Sequence, residues 1–151
     1  MICNALMSFS PTSAPTRIHA DSGNNQRGAI NSMLAFPFVV VVTDAGFNRR
    51  DNVAVTFTVT KGGGLINGLT SVTANTDSDG RALAVLTLGA QAGIANSEVQ
   101  ATFSGNTGAA ATFVATAVTP GNPAQTQITG VVLDNSGTPI TGVTKIGRAH
   151  V

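Results

Sequence analysis

The chain has 151 residues, enough for one domain or for one domain and part of another, and only 10% of them are charged, with a formal net charge of +1. Two histidines, seven acidic residues and one cysteine are a poor supply for an acid/base or metal enzyme, and lysine and arginine are too few for a basic nucleic-acid binder. Threonine occurs 20 times and glycine 17 times, while glutamate and lysine are scarce, which argues against an all-helical protein. Composition therefore predicts a soluble all-β domain of a secreted type.

The N-terminal residues, 1–15, are predicted to be disordered or to form a linker. They lack the charged start of a secretory signal, and polar side chains interrupt their apolar stretch, residues 2–7. Cys3, the single cysteine, gives no disulfide framework. Residues 17–20 then predict an edge strand, which leads into the turn-rich segment 22–28.

Strand signals dominate from residue 16 to residue 118. The apolar run 33–42 is too short to span a bilayer and predicts a buried strand, with the valine-rich residues 38–43 at its end. Residues 53–60 alternate strictly, which predicts a half-buried strand with its threonine face toward solvent. Further short strands are predicted at residues 71–76, 81–88, 98–103 and 111–118, separated by turn or loop signals at residues 61–64, 77–80, 89–96 and 104–108.

About seven short strands in roughly 100 residues predict an all-β fold, an antiparallel β-sandwich of two sheets. A helical fold is excluded because no long stretch has a 3.6-residue period and glycine and threonine are scattered throughout. Neither a cysteine pair nor a tryptophan is present, so the core is predicted to consist of valine, leucine, alanine and phenylalanine.

The composition changes after residue 118. Residues 119–125 are rich in proline and glycine and predict a linker. Residues 126–144 predict the truncated start of a second β-sandwich domain. Asp134, like Asp44, follows a valine-containing strand and begins a turn, which we interpret as an imperfect internal sequence similarity.

The last residues, 145–151, resemble the translation of a common sequencing adapter in one reading frame. We therefore predict that they are an artefact of an environmental read and that the natural protein is longer. Without Lys145 and Arg148 the basic residues fall from 8 to 6 against 7 acidic residues, so the net charge changes from +1 to −1.

A family resemblance covers roughly residues 17–118. The segments that carry it are Ser22-Gly-Asn-Asn-Gln, Pro37-Phe-Val-Val-Val-Val-Thr-Asp, Val55-Thr-Phe-Thr-Val-Thr, Gly62-Gly-Gly, Thr76-Asp-Ser-Asp-Gly-Arg-Ala, Leu86-Thr-Leu-Gly, Gly93, Asn96 and Val99-Gln-Ala. In this order they resemble bacterial immunoglobulin-like (Ig-like) domains of the invasin/intimin type (group 1). The chain departs from the family at residues 47–52, where the family usually has Gly-Asn-Pro and a later glycine. Residues 128–143 resemble the opening of carboxypeptidase-regulatory-like β-sandwiches.

The resemblance implies an Ig-like β-sandwich of about seven strands over residues 16–118. It implies tandem modules that act as stalks and display arms in large exported or outer-membrane-anchored bacterial proteins, without catalysis of their own. The implied location is extracellular or on the bacterial outer surface. The implied partners are neighbouring domains of the same chain, and host or cell-surface ligands would be bound through other domains.

Candidate chemistry is confined to a few residues. Asp77 and Asp79 are spaced like the start of a calcium loop and are the candidates for a metal site. A full loop needs a glutamate near position 12, where this chain has Leu88, so the sequence favours a turn that Asp77 caps and in which Gly80 takes a positive φ. His19 has no cysteine or second histidine nearby. We therefore predict no catalytic residue, no metal and no cofactor.

Three functions remain open at the level of sequence. The leading one is a non-catalytic structural or spacer module in an adhesin-like tandem array. The second is a ligand- or carbohydrate-binding module, for which one loop offers Phe47 with Arg49 and Arg50. The third is an accessory domain of a secreted hydrolase. Neither nucleic-acid binding nor membrane insertion by this fragment is predicted.

Overall fold

The computed structural model describes residues 13–122 and 133–140. The chain divides into two compact units, Met1–Pro120 and Gly121–Val151. Every regular element among the described residues is a β-strand, which confirms the all-β class. The strands are β1 (Arg17–Ser22), β2 (Gln26–Ala29), β3 (Phe38–Thr43), β4 (Ala54–Lys61), β5 (Leu65–Ile66), β6 (Ser71–Asn75), β7 (Arg81–Ala84), β8 (Leu86–Thr87), β9 (Gly93–Phe103) and β10 (Ala111–Val118).

These strands form two larger sheets and one short ribbon. The three-stranded sheet has the order β1-β3-β7, the five-stranded sheet has the order β2-β10-β9-β4-β6, and β5 pairs with β8. The pairs are antiparallel except for β2, which runs parallel to β10. The prediction of purely antiparallel sheets is therefore wrong at this pair, and the described residues contain ten strands where about seven were expected.

The core lies between the two larger sheets in a sandwich-like arrangement. Phe38 of β3 stacks on Phe113 of β10 with ring centroids 4.7 Å apart, so the sheets meet through aromatic side chains from both. Because successive side chains of a strand point to opposite faces, every second residue enters the core. The buried apolar residues include Val40, Val42, Val55, Phe57, Ala82, Leu86, Leu88, Val99, Ala101, Ala115 and Ala117.

Strand β4 confirms the predicted alternation. Val55 and Phe57 are fully buried, whereas Thr56 and Thr58 lie on the outer face and share hydroxyl hydrogen bonds with β6. The predicted strand 81–88 is divided in two, because β7 pairs with β3 and β8 leaves that strand to pair with β5. The face predicted to be apolar is nevertheless buried, whereas Leu83 on the other face is exposed.

Two further sequence predictions in the first unit are wrong. Residues 89–96 were expected to form a loop, but β9 already begins at Gly93. The side chain of Asn96 supports this irregular part of the strand, since its Oδ1 accepts the N–H of Ala117 at 3.1 Å. The apolar run 33–42 is buried only in part, because the strand begins at Phe38 and the preceding residues include the exposed Met33 and Phe36.

Strand β2 was missed because its sequence, Gln-Arg-Gly-Ala, has no hydrophobic alternation. A polar side chain fixes the chain just before it. Asn24 Oδ1 accepts the N–H of Val114 at 2.8 Å, and the N–H of Asn25 is donated to the carbonyl of Val114 at 3.0 Å. The approach to β10 therefore depends on asparagine contacts and not on an apolar pattern.

In the second unit the structure describes residues 121–122 and 133–140. Leu133 bridges to Pro139 on either side of a turn that begins at Asp134. Most of the predicted start of a second domain, residues 126–144, and the adapter-like residues 145–151 lie outside the described residues.

Candidate functional site

Several turns meet at one end of the first unit. We call this region, made of residues 13–17, 43–52, 76–81 and 104–108, the loop end. Hydrogen bonds tie these segments together: the N–H of Thr16 is donated to the carbonyl of Thr43 at 2.9 Å, the N–H of Thr107 to the carbonyl of Thr16 at 2.9 Å, and the Thr76 hydroxyl to the carbonyl of Arg50 at 2.7 Å. A side chain placed here is therefore held by several elements at once.

Asp44 organises the largest of these turns. Its Oδ1 accepts the backbone N–H groups of Gly46 and Asn48, both at 2.9 Å, and the side chain is buried. The Asn48 side-chain amide, which donates to both carboxylate oxygens, lowers the pKa of Asp44, and the two backbone donors and the charge of Arg50 act in the same direction. The carboxylate is thus a structural acceptor inside the turn.

Asp77 and Asp79, the sequence candidates for a metal site, lie in a second turn of the same kind. Asp77 Oδ1 accepts the N–H groups of Asp79 and Arg81, both at 2.9 Å, and Gly80 has a φ of +69°. The carboxylate of Asp79 lies 3.7 Å from Arg81 Nη1. The turn foreseen from the sequence is present, and in residues 13–122 and 133–140 no three histidine, cysteine, aspartate or glutamate side chains group as metal ligands.

Asp134 begins a third turn with the same hydrogen bonds. Its Oδ1 accepts the N–H groups of Ser136 and Thr138 at 2.9 Å, and Gly137 has a φ of +80°. The Ser136 hydroxyl and the backbone donors lower the pKa of Asp134. The similarity between Asp44 and Asp134 is therefore a shared turn geometry, and Asp77 has the same geometry, which its sequence surroundings did not indicate.

Phe47 occupies the position that glycine holds in the other two turns. Its φ is +64°, a left-handed conformation that is rare for a bulky side chain and costs energy. The ring is 64% exposed, and the guanidinium carbon of Arg17 lies 4.6 Å from its centroid. A strained, exposed aromatic ring with a cation on one face is a feature that binding surfaces use.

The basic residues of this region differ in how firmly they are held. Arg49 Nη1 donates to the carbonyl of Asp79 at 3.1 Å, which ties the first turn to the second. The backbone of Arg50 is held on both sides, because its N–H is donated to the carbonyl of Val42 and its carbonyl accepts the hydroxyl of Thr76. The cation beside Phe47 is therefore Arg17 of β1, which the sequence did not indicate, whereas the contacts of Arg49 and Arg50 are made with other segments of the loop end.

Two open grooves flank β10. The first, here called the β1 groove, has a volume of about 600 Å³ and is lined by residues 17–20 of β1 and residues 107–111. His19 lies in this wall and is exposed. The second groove, of about 660 Å³, is lined by Asn25, Arg27 and residues 92–94 and 116–119. Neither groove brings together groups that resemble a catalytic set.

No protein-family model and no curated protein matches the chain. Within the described part of the chain, no helix is long and apolar enough to cross a membrane. The function must therefore be argued from the geometry of the sheets, the loop end and the grooves.

Proposed function

We propose that residues 16–118 form an Ig-like module that acts as a non-catalytic structural spacer in a large exported or cell-surface bacterial protein, in an adhesin-like tandem array. One observation carries this proposal: the chain enters the module at one end and leaves it at the other. Modules connected in this way extend a chain when they are joined in series.

The two ends are placed by β1 and β10. Thr16, immediately before β1, is bound by Thr107, shortly before β10 begins. β10 then continues to Val118, and eight residues of strand extend about 26 Å at roughly 3.3 Å per residue. The point where the chain leaves the module is therefore a full strand length away from the point where it enters.

The strand order supports the Ig-like assignment. An immunoglobulin sandwich places its strands A, B, E and D in one sheet and its strands C, F and G in the other, with a strand C′ added beside C in the variable type. Among the described residues, the three-stranded sheet has no counterpart of D. β1, β3 and β7 correspond to A, B and E, and β4, β9 and β10 correspond to C, F and G. β6 takes the place of C′, and β2 is the continuation of A beside G. The family resemblance of residues 17–118 points to the same assignment.

The parallel pair β2–β10 suits a module under tension. Hydrogen bonds lie at both ends of this pair. The N–H of Asn25 is donated to the carbonyl of Val114 at 3.0 Å, and the N–H of Ile30 is donated to the carbonyl of Val118 at 2.9 Å. A force applied through the two ends pulls β2 and β10 in opposite directions along their length. The hydrogen bonds between them are then loaded together, whereas a force across the sheet would break them one after another.

The proposal is tested by pulling the full chain in two directions in a single-molecule force experiment. Attachment at Ser13 and Asn122 loads the strands lengthwise, and attachment at Arg27 and Thr73, in the two edge strands of the five-stranded sheet, loads them crosswise. We expect a clearly higher unfolding force for the lengthwise direction. Equal forces, or a weaker lengthwise direction, would contradict a spacer function.

Proline substitutions at the two edges of the five-stranded sheet give a matched pair of variants. Ile30→Pro removes the N–H that Ile30 donates to the carbonyl of Val118 at the end of the β2–β10 pair, and Val72→Pro removes an N–H of β6 that faces β4 at the opposite edge; both residues are partly buried. Both changes weaken the sheet, but only Ile30→Pro is expected to lower the lengthwise force strongly. Similar losses of force in the two variants would argue against the β2–β10 pair as the element that resists extension.

A binding module is the second candidate, and Phe47 is the observation that favours it. The strained ring is exposed beside Arg17, at a loop end where a ligand can approach it. The test is a glycan and host-cell binding assay of the full chain with Phe47→Gly as the comparison. Binding that the variant loses would support this function, whereas no signal from the unaltered chain would discard it.

A further inference from the structure

We propose that the β1 groove is a docking site for an extended acidic peptide, which adds to the three-stranded sheet as a strand beside β1. The structure supplies the three elements that strand addition needs: an open sheet edge, room for a backbone, and side chains that select the partner.

The open edge is β1 itself. β1 is the terminal strand of the order β1-β3-β7, and no strand among the described residues pairs with its other side. In an antiparallel pair, alternate residues bond to the partner strand, and the residues between them turn their backbone groups away. β1 therefore presents part of its backbone toward the groove.

The register identifies these backbone groups. Val42 bonds away from β1, since its N–H is donated to the carbonyl of Gly80 and its carbonyl accepts the N–H of Arg50, both at 2.9 Å. Ile18 lies opposite Val42 in the register, so this is a pair without mutual hydrogen bonds. The N–H and C=O of Ile18, and those of Ala20 two residues later, accordingly point to the open side.

The groove has room for a peptide backbone. Its far wall, residues 107–111, has the sequence Thr-Gly-Ala-Ala-Ala, so no large side chain blocks a close approach. Its volume is about 600 Å³. Residues 17–20 of β1 extend about 13 Å at roughly 3.3 Å per residue, which is enough to pair with a strand of similar length.

The charge of the groove favours an acidic partner. Arg17, whose guanidinium also lies over the Phe47 ring, is the one charged residue of its lining, and no acidic residue lines it. The nearest acid along β1, Asp21, is paired with Arg81 at 3.3 Å. A second copy of this chain is a poor complement, because its other edge strands, β2, β6 and β7, contain no acidic residue. The geometry and the charge therefore favour a separate acidic segment.

The experiment measures binding of a short peptide of alternating glutamate and valine to the full chain by isothermal titration calorimetry. The same peptide with lysine in place of glutamate is the control for charge. We expect binding of the glutamate peptide only. Binding of both peptides, or of neither, would overturn the proposal, as would a dimer of the chain alone that closes the groove.

Two further variants separate strand pairing from charge attraction. Ala109→Trp fills the β1 groove, and Ala92→Trp, an exposed alanine in the second groove, is its matched control. Ala20→Pro removes one outward N–H while the bonds of β1 to β3 are retained, as an edge strand tolerates.

We expect Ala109→Trp and Ala20→Pro to weaken binding about tenfold or more and Ala92→Trp to leave it unchanged. Thermal unfolding of each variant shows whether the fold is retained. A folded Ala20→Pro variant that binds as tightly as the unaltered chain would show attraction without strand pairing and would overturn the proposal.

Discussion

The turns that begin at Asp44 and Asp77 have the same backbone hydrogen bonds, but they differ in the residue at their fourth position, where the backbone has a positive φ. In the Asp77 turn this position is Gly80, and a Cβ there would lie 2.9 Å from the Cβ of Arg49 and 3.0 Å from the backbone N of Arg50. In the Asp44 turn it is Phe47, whose side chain projects into solvent. The positive φ is thus required by the turn, whereas the exclusion of side chains is imposed by neighbouring loops.

The largest effect is expected where both constraints act. Gly80→Ala adds left-handed strain and a steric conflict with the backbone of Arg50, and we expect it to lower the free energy of unfolding by about 3 kcal/mol. Chemical denaturation measures this change. Gly68→Ala is the matched control, because Gly68 has a φ of +79° with nothing within 4 Å of a Cβ, so it should cost about 1 kcal/mol. Equal losses would show that crowding at Gly80 is unimportant.

Phe47 allows the strain to be measured alone. Phe47→Gly and Phe47→Ala both remove the ring and its contact with Arg17, but only glycine adopts a φ of +64° without strain. We expect the glycine variant to be more stable than the alanine variant by about 1 kcal/mol in chemical denaturation. If the two variants unfold at the same denaturant concentration, the loop has relaxed and Phe47 is not strained.

These turns also show how far the sequence leads. The alternation of residues 53–60 and 111–118 predicted strands and buried faces correctly, because side-chain periodicity follows from strand geometry alone. The Asp-led turn at residues 77–80 was recognised because aspartate and glycine have specific turn chemistry. A turn at Asp44 was predicted as well, but its shared geometry with the Asp77 turn was not, since glycine marks the fourth position elsewhere and Phe47 does not.

The remaining errors concern long-range pairing. β2 has no apolar pattern, and its place beside β10 depends on contacts between residues about ninety positions apart, such as Asn24 with Val114. The β1 groove is formed by β1 and residues 107–111, which are equally distant in sequence. Local patterns can predict strands, but they cannot predict which edges stay open, and the candidate docking site is a property of those edges.

A smaller effect is expected from the cation beside Phe47. Arg17→Gln removes the charge from the ring face but keeps a long side chain at the start of β1. An exposed cation–π contact contributes about 0.5 kcal/mol, so the unfolding free energy should fall by about that amount. The same substitution in a Phe47→Ala background should have no such effect. A similar loss in both backgrounds would place the contribution of Arg17 elsewhere.

The finest comparison concerns the charge of Asp44, and it is made by varying pH. Its pKa is lowered in the folded protein, first through the side-chain amide of Asn48, so the carboxylate stabilises the fold at a pH above its ordinary pKa of 3.8. This contribution is lost as the pH falls through the lower folded pKa. Asp44→Asn keeps an oxygen that can accept the turn hydrogen bonds but removes the titration.

We therefore expect the unaltered chain to exceed Asp44→Asn in stability at neutral pH and the difference to shrink in acid, measured by thermal unfolding across the pH range. The exposed Asp51→Asn controls for a general change in charge on the same loop. Glu98 and Asp134, whose pKa values are also lowered, the former chiefly by Lys61, remain in both variants and cancel from the comparison. A difference that stays constant with pH would mean that Asp44 acts through its shape and not through its charge.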